Sequence, residues 1–341
     1  MALPQTYKAY RRTTDGKSIE QVTETLPSLG PNDVALRIHA VSLNYRDIAM
    51  LDNKYPVPVL DRGIPTSDCA AEVVGLGSYA REFRVGDHVT PIWDLTNLTG
   101  TEEETPKALG GDVDGVLREY AVFHEGMLVK LPGHLSWEEG ACVTCAGTTA
   151  WTSLQFPGKI RSALLQGTGG VSMFALLLCI AAGVQPIITS SSDEKLSAAA
   201  SVHPSVQTIN YKITPHWDEE VRRLTNGRGV DVAIENVGPS TAARSLNSLA
   251  QRGMLSLVGF LGGLNMESYP DLYTPVLVRR LRMQGITVGS KIDEQALCDF
   301  LDEKKVSLEP LINVTFSFDK AKEAFVHLKS GKHQGKIVIT I

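Results

Sequence analysis

The sequence has few of the residues that hold small scaffolds together, and it has no apolar segment long enough to cross a membrane. Its five cysteines are scattered through 341 residues, which favours reduced thiols over a disulfide framework. The longest apolar run, residues 171–184, is too short to span a bilayer, and the first residues lack the apolar core of a signal peptide. These absences predict a cytoplasmic protein that does not bind a membrane.

The chain also lacks a basic stripe, and its formal net charge is −5. A nucleic-acid backbone needs clustered positive charge, so nucleic acid is not expected as the main partner. Hydrophobic residues make up 43% of the chain and charged residues 21%, as in soluble globular enzymes. A length of 341 residues suits two domains of ordinary size.

What the sequence does contain is a glycine turn between an apolar strand and an apolar helix. Residues 162–166 predict the strand, Gly167-Thr168-Gly169-Gly170-Val171-Ser172 the turn, and the run to Ala182 a helix of about three turns. Gly167 permits the tight turn, Gly169 lets the backbone approach a pyrophosphate, and the N–H groups at the helix start attract the anion. A glycine triplet alone is weak evidence, but its place in a βαβ unit predicts a dinucleotide-binding site.

Short strands dominate the first part of the chain, and alternating strands and helices follow. The early strands, which indicate a partly closed β-barrel or sandwich, are predicted near 18–24, 33–41, 69–75, 88–93 and 117–123. Ser136 is the predicted N-cap of a linker helix. The later strands, which indicate a doubly wound parallel sheet, are predicted near 162–166, 186–190, 207–211, 230–235, 254–259 and 285–289. The last fifty residues break the alternation and are predicted to return to the first domain.

The second strand of the βαβ unit ends in Thr189-Ser190-Ser191-Ser192 rather than in an acid. A carboxylate there binds the ribose hydroxyls of NAD and repels a 2′-phosphate, whereas hydroxyls and the nearby Lys195 suit NADP(H). Asp193 and Glu194 count against this interpretation, but their position after a serine is that of first-turn helix residues. Tyr211 is either a neighbour of the phosphate or a packing aromatic. We therefore expect NADP(H), with NAD(H) as the alternative.

From end to end the chain resembles the medium-chain dehydrogenase/reductase superfamily. The resemblance rests on the β-rich first part, the turn from Gly167 to Ser172 and the C-terminal return. Residues 42–47, 146–151 and 189–196 resemble its zinc-free branch, which includes quinone oxidoreductases and enoyl reductases.

The resemblance implies an α/β fold in two domains. The expected catalytic domain is a GroES-like, partly closed β-barrel formed by residues 1–127 and 290–341. The expected cofactor domain is a Rossmann domain with a doubly wound parallel sheet, formed by residues 128–289. Members of the superfamily pair their cofactor domains through sheet-edge strands such as those in residues 254–288, so a homodimer is expected.

The positions that hold catalytic zinc in other members carry a different set of side chains here. They fall on Asn44, Ser67, Asp68 and Cys145, of which only an acid and a thiol are good Zn²⁺ ligands. The loop at 94–114 has none of the four cysteines of a structural zinc lobe, and the eight histidines show no ligand spacing. No metal is expected, and Cys145 is interpreted as a small buried residue.

The resemblance assigns cofactor contacts residue by residue. It implies that Asn44 and Thr149 hold the nicotinamide end of the cofactor. The residues implied at the pyrophosphate are Gly167, Thr168, Gly169, Gly170 and Val171. Those implied at the adenosine phosphate are Ser190, Ser191, Lys195 and Tyr211, and those implied along the cofactor groove are Asn236, Gly259, Phe260 and Val288. Lys336 matches a position from which a basic side chain reaches the pyrophosphate, although it also fits a plain strand-edge lysine.

Reduction of an enone or a quinone is easier without a metal than reduction of a simple ketone. Hydride adds to the β-carbon, and the charge spreads onto an enolate that hydrogen bonds can stabilise. We therefore expect an NADPH-dependent reductase of an activated C=C bond or a quinone, with Tyr45 or Tyr55 as proton donor and Arg46 or a ribose hydroxyl as electrophile. The alternatives are a zinc-independent alcohol dehydrogenase or carbonyl reductase, and an NADPH-binding protein with little turnover.

Overall fold

A computed structural model describes residues 3–156, 158–264 and 270–341. The chain forms two compact units. The first unit comprises Met1–Thr148 and Val288–Ile341, and the second unit comprises Thr149–Thr287. The predicted boundaries lay after residues 127 and 289. Residues 128–148 join the first unit because their short strand pairs with a strand of that unit and their helix packs on its sheet.

The chain before residue 141 forms short strands because apolar and polar residues alternate between frequent turns. Its helices and strands are β1 (Thr6–Arg12), β2 (Ile19–Thr25), β3 (Asp33–Ser42), α1 (Tyr45–Leu51), β4 (Asp68–Leu76), β5 (His88–Pro91), β6 (Tyr120–His124), β7 (Leu128–Lys130) and α2 (Trp137–Gly140). β1 and β2 form an antiparallel pair, and β3 pairs antiparallel with both β4 and β6. As predicted, Ser136 caps α2, because its side chain accepts a hydrogen bond from the Glu139 N–H at 3.2 Å.

The second unit is a parallel six-stranded sheet with helices between its strands. Its elements are α3 (Thr148–Leu154), β8 (Ser162–Gln166), α4 (Gly170–Ala181), β9 (Gln185–Ser190), α5 (Asp193–Val202), β10 (Gln207–Asn210), α6 (Trp217–Leu224), β11 (Val230–Glu235), α7 (Pro239–Ser248), β12 (Leu249–Leu257), α8 (Tyr273–Arg279) and β13 (Arg282–Gly285). The strand order is β10-β9-β8-β11-β12-β13. The predicted doubly wound sheet is confirmed, and its order reverses between β8 and β11.

One predicted strand of this sheet is wrong in position. A strand was predicted near 285–289, whereas β13 ends at Gly285 and pairs in parallel with β12. All four residues of β13 are exposed, because β13 is the edge strand. An edge strand needs little apolar sequence, so hydrophobicity does not mark it.

The end of the chain returns to the first unit, as predicted. Its elements are α9 (Lys291–Lys304), β14 (Ile312–Ser317), α10 (Ala321–Lys329) and β15 (Lys336–Thr340). β15 pairs antiparallel with β3 and parallel with β14. Apolar side chains of β3, β4, α10 and β15 share the core of the first unit, while Leu164, Ile187 and Leu255 lie in the core of the second. Among the described residues, no helix is long and apolar enough to cross a membrane.

Candidate functional site

The predicted nucleotide turn lies between β8 and α4 of the second unit. Gly167 has φ +74°, which favours glycine, and Gly169 is the N-cap of α4. A Cβ built on either glycine would meet no atom within 4 Å, so the space in front of both is open. No side chain among the described residues caps α4, and its first N–H groups therefore suit an anion.

Buried hydrogen bonds to Gln166, at the end of β8, fix the shape of this turn. The Ser172 hydroxyl donates to the Gln166 carbonyl at 2.7 Å, and the Asn236 amide donates to the same carbonyl at 3.1 Å. The Gln166 side chain in turn donates to the buried carboxylate of Glu235 at 2.9 Å. Serine at the third glycine position thus adds a bond that glycine lacks. These bonds hold the ends of β8 and β11 together.

The residues predicted at the adenosine phosphate gather around the end of β9. The Tyr211 N–H donates to the Ser190 carbonyl at 3.1 Å, which places the ends of β10 and β9 side by side. Ser191 and Lys195 are half-buried at the start of α5, and burial lowers the pKa of Lys195. Asp193 accepts a hydrogen bond from the Asn210 side chain at 2.7 Å, which agrees with its interpretation as a first-turn residue.

The remaining predicted contacts of the second unit follow β11 and β12 or lie on α3. The Gly259 N–H donates to the Glu235 carbonyl at 3.1 Å, and a Cβ at Gly259 would lie 2.6 Å from the Asn236 carbonyl oxygen. Only glycine therefore allows this approach. Phe260 follows it directly, and Thr149 is buried in α3. The open glycine turn, the uncapped helix and the hydroxyl-rich strand end together fit a dinucleotide.

A buried arginine organises the predicted catalytic residues of the first unit. The Arg46 Nη1 donates to the Leu109 carbonyl at 2.7 Å, and its Nε lies 3.4 Å from the Tyr55 hydroxyl. The guanidinium carbon stands 5.4 Å from the centre of the Tyr55 ring and 5.0 Å from that of Trp93, distances typical of cation–π contacts. Tyr45 lies on the same helix with 40% of its surface exposed. The structure thus joins Arg46 to Tyr55.

An apolar cluster lies next to this arginine. Trp93, Ala108 and Val288 are buried against one another, and Cys145 packs on them half-buried. Val288 has φ +59°, which a β-branched side chain rarely adopts. Such strain is most often retained at functional sites. Sequence reasoning named Val288 only for its backbone and missed Trp93, whose position at the end of a predicted strand was the available signal.

Two of the four positions that carry zinc ligands in other members of the resembled superfamily contact a lysine. The Lys336 Nζ donates to the Leu43 carbonyl at 2.8 Å and to the Asn44 Oδ1 at 2.6 Å, and it lies 3.6 Å from the Asp68 Oδ2. The Ser67 hydroxyl donates to the other Asp68 oxygen at 2.6 Å. The four positions thus supply one acid and one thiol, with an amide, a hydroxyl and a neighbouring ammonium, and this set does not fit Zn²⁺, which needs three protein ligands in a catalytic site.

These contacts bear on two of the predictions. The role of Lys336 at the pyrophosphate stays a prediction, and its bonds inside the first unit compete with that role. Cys145 was interpreted as a small buried residue, whereas the structure leaves it half-buried; desolvation nevertheless raises the pKa of its thiol to about 12. In the part of the chain that the structure describes, no group of three or more His, Cys, Asp and Glu side chains is placed to hold a metal.

One buried acid, Glu294, was not singled out by the sequence reasoning. Glu294 is 1% exposed and accepts a hydrogen bond from the Thr144 hydroxyl at 2.9 Å. Burial, with a smaller contribution from Asp68, raises the pKa of Glu294 to about 8. In the sequence it follows Asp293 in the first turn of a helix, where acids are ordinarily solvated, so no local signal marks it.

Two family descriptions match the chain. "Alcohol dehydrogenase GroES-like domain" matches residues 30–133, and "Zinc-binding dehydrogenase" matches residues 170–303. A zinc-type alcohol dehydrogenase-like protein of Schizosaccharomyces pombe is 36% identical over 327 residues, which cover 93% of each chain.

Two further proteins extend this similarity. A quinone oxidoreductase of Pseudomonas aeruginosa is 29% identical over 326 residues, which cover 91% of each chain. A crystal structure of a Sinorhizobium meliloti 1021 protein assigned as an alcohol dehydrogenase matches with a TM-score of 0.89 at 32% identity, and the match covers 100% of both chains. Similarity of this extent includes both units and the return of the C-terminus.

Proposed function

Because this chain belongs to the medium-chain dehydrogenase/reductase superfamily, we propose that it is an NADPH-dependent oxidoreductase that transfers hydride to an enone C=C bond or a quinone without zinc. The observation that carries the proposal is the open glycine turn at the uncapped start of α4. A backbone that leaves this space in front of a helix N-terminus suits the pyrophosphate of a dinucleotide.

The residues at the end of β9 support NADP(H) over NAD(H). We assign the 2′-phosphate to the hydroxyls of Ser190 and Ser191, the ammonium of Lys195 and the neighbouring Tyr211. Asp193, the first acid after the strand end, accepts a hydrogen bond from Asn210 and is therefore assigned a structural role. The pyrophosphate is assigned to Gly167–Val171, the groove backbone to Asn236, Gly259, Phe260 and Val288, and the nicotinamide end to Asn44 and Thr149.

The cofactor, when bound, supplies a hydride, so the residues of the chain need to stabilise negative charge and deliver a proton. We assign these tasks to Arg46 and to a phenol. Arg46 stays charged at any physiological pH, and its Nε faces the Tyr55 hydroxyl at 3.4 Å. A guanidinium in this position stabilises the charge left when the phenol gives its proton to an enolate. Tyr55 is therefore the preferred donor, and exposed Tyr45 is the alternative.

The alcohol dehydrogenase-like relatives favour a second candidate within the same enzyme class, a zinc-independent carbonyl reductase. A ketone oxygen needs an electrophile directly on it, whereas an enone needs only a stabilised enolate. Low turnover with tight NADPH binding would instead indicate a binding protein. A reducing compartment such as the cytoplasm suits the five free cysteines in any of these cases.

The test is to follow NADPH and NADH oxidation with cyclohexenone, cyclohexanone and benzoquinone. We expect turnover of the enone or the quinone with NADPH, little turnover of the saturated ketone, and a lower kcat/KM with NADH. Turnover of the ketone at a comparable rate favours the carbonyl reductase. A Ser191→Asp variant should lose preference for NADPH because its carboxylate repels the 2′-phosphate; an unchanged preference contradicts the assignment.

We also propose that two copies of the chain pair through the second unit. The edge strand β13 has all four residues exposed, and no strand of the described residues pairs with its outer side, which leaves N–H and C=O groups for another strand. Tyr273, Leu277 and Val278 of α8 are at least 63% exposed. Such an edge with apolar neighbours suits a two-fold pairing with a second copy.

A further inference from the structure

Among the described residues of the first unit, Lys336 has the smallest exposed fraction of any lysine or arginine. The residue is 2% exposed, although lysine is rarely buried without a charged partner. Its Nζ contacts the Leu43 carbonyl, the Asn44 Oδ1 and, at 3.6 Å, the Asp68 Oδ2. Two of these partners, Asn44 and Asp68, occupy positions that hold the catalytic zinc in other members of the superfamily. An ammonium thus stands among residues that replace zinc ligands.

The positive charge of Lys336 balances the buried carboxylate of Asp68. It is fully buried, and its Oδ2 has no hydrogen-bond partner among the described residues, so its remaining interaction is the ion pair with Lys336. Two further charges lie nearby, the anion of Asp47 and the cation of Arg46, and they offset each other. Asp47 accepts its own hydrogen bond from the Asn44 N–H at 2.8 Å. A buried carboxylate without a cation is strongly unfavourable. Lys336 therefore balances charge in the way that a bound metal cation would.

The same ammonium also determines which way the Asn44 amide points. Lysine Nζ only donates hydrogen bonds, so the oxygen of the amide has to face it, and the amide nitrogen has to face away. That nitrogen, Nδ2, is buried and has no hydrogen-bond partner among the described residues. Buried donors without a partner are rare and need an explanation. An acceptor oxygen of a bound molecule supplies one.

We propose that Lys336 is a positioning residue that replaces the metal: it neutralises Asp68 and orients Asn44 so that the amide N–H₂ donates to an oxygen of the bound nicotinamide half or of the substrate. The inference rests on the proposed function for the identity of that bound molecule. The ion pair and the amide orientation rest on geometry alone. Lys336 acts through Asn44 and does not itself touch the reacting atoms.

The first test is a thermal double-mutant cycle with Lys336→Met, Asp68→Asn and the double variant. Lys336→Met should lower Tm by roughly 5–10 °C because it leaves a buried carboxylate unpaired, and adding Asp68→Asn should recover part of the loss. Lys329→Met, which removes an exposed ammonium paired with Asp52, is the matched control and should change Tm little. Additive Tm losses in the cycle would refute the ion pair.

The second test separates the positioning role from direct contact with the pyrophosphate. The wild type and the double variant are titrated with NADPH and with 2′-phospho-ADP-ribose, which lacks nicotinamide. The double variant is used because it leaves no unpaired buried carboxylate and so keeps the fold even if Lys336→Met alone does not. If Lys336 orients Asn44 toward the nicotinamide half, the affinity for NADPH falls roughly tenfold, and the affinity for 2′-phospho-ADP-ribose falls less than about twofold. If the acceptor belongs to the substrate, both ligands keep their affinity while the kcat/KM of the enone falls. Equal weakening of both ligands overturns the inference in favour of a pyrophosphate contact.

These outcomes are distinct from failure of the proposed function. If the wild type prefers NADH, the same comparison with NADH and ADP-ribose decides the role of Lys336. If it binds neither dinucleotide, the proposed function fails, and the thermal cycle still decides whether Lys336 neutralises Asp68. An unchanged affinity for every ligand together with an unchanged kcat/KM refutes the orientation of Asn44 as a functional device.

Discussion

At the scale of single residues, Glu294 contributes to the pH dependence of the first unit's stability. Burial raises its pKa in the folded state from the ordinary 4.5 to about 8, so the folded state binds a proton more tightly than the unfolded state. The ionised form therefore destabilises the fold, starting above pH 4.5 and reaching the full effect above pH 8. This stability cost disappears when the carboxyl is replaced by a neutral amide.

We predict that Glu294→Gln stabilises the protein by on the order of 1–3 kcal/mol at pH 8.5 and by much less at pH 5. The amide oxygen can still accept the Thr144 hydroxyl, so the packing is kept. Tm measured at both pH values tests this, and Glu303→Gln on the exposed face of the same helix is the control. A gain that is the same at both pH values contradicts the raised pKa.

The proton donor is also decided at single residues. We predict that Tyr55→Phe lowers kcat about a hundredfold and leaves KM nearly unchanged, because the phenol acts in the transition state. Tyr45→Phe, on the same stretch of chain but 40% exposed, should change kcat less than about twofold. Steady-state kinetics with an enone tests both variants. A larger fall for Tyr45→Phe would identify Tyr45 as the donor.

At the scale of elements, a substitution at the start of α4 can change cofactor binding without changing stability. Gly169 has φ −80°, an ordinary value for alanine, and a Cβ there would meet no atom within 4 Å. We predict that Gly169→Ala leaves Tm within about 1 °C but weakens NADPH binding about tenfold or more, since the methyl group occupies the approach of the pyrophosphate. Thermal unfolding and fluorescence titration measure the two effects.

Gly133 offers the matched control for this element. It lies in a turn of the first unit, and a Cβ there would also meet nothing within 4 Å. Gly133→Ala should change neither Tm nor NADPH affinity. If Gly169→Ala binds NADPH as the wild type does, the pyrophosphate does not lie on this helix.

Elements also show where sequence patterns are informative. The buried strands β8 and β11 lie at the predicted residues, because continuous apolar runs between turn residues specify a central strand. The edge strand β13 was misplaced, because its exposed residues carry no such run. The N-cap of α2 was predicted correctly, because capping depends on a few consecutive residues.

At the scale of the whole molecule, the proposed independence from zinc can be measured directly. The Lys336 ammonium repels Zn²⁺, and the Asp68 carboxylate and the Cys145 thiol are one ligand short of the three that a catalytic zinc needs. We predict that the purified protein contains substoichiometric zinc and that a chelator changes neither Tm nor activity. Elemental analysis and an EDTA titration test this. Stoichiometric zinc, or activity lost to the chelator and restored by Zn²⁺, would refute the zinc-free assignment.

Assembly is the other property of the whole molecule. We predict that light scattering gives twice the chain mass of 37.0 kDa, and that Leu277→Asp or Val278→Asp shifts the protein toward monomer, because a charge would be buried at the pairing surface. Val326→Asp, at a residue 70% exposed on the first unit, should leave the mass unchanged. A monomeric wild type contradicts the pairing.

The sequence by itself determined the parts of this protein that depend on neighbouring residues: the glycine turn, the alternation of strands and helices, the cap at Ser136 and the hydroxyl-rich end of β9. Turn chemistry and periodicity act over a few residues, so they can be read locally. The tertiary structure alone decided that the Lys336 ammonium faces Asn44 and Asp68, that Arg46 lies between Tyr55 and Trp93, and that Glu294 is buried. These contacts join strands and helices far apart in the chain, and burial and charge pairing arise only when the fold brings them together.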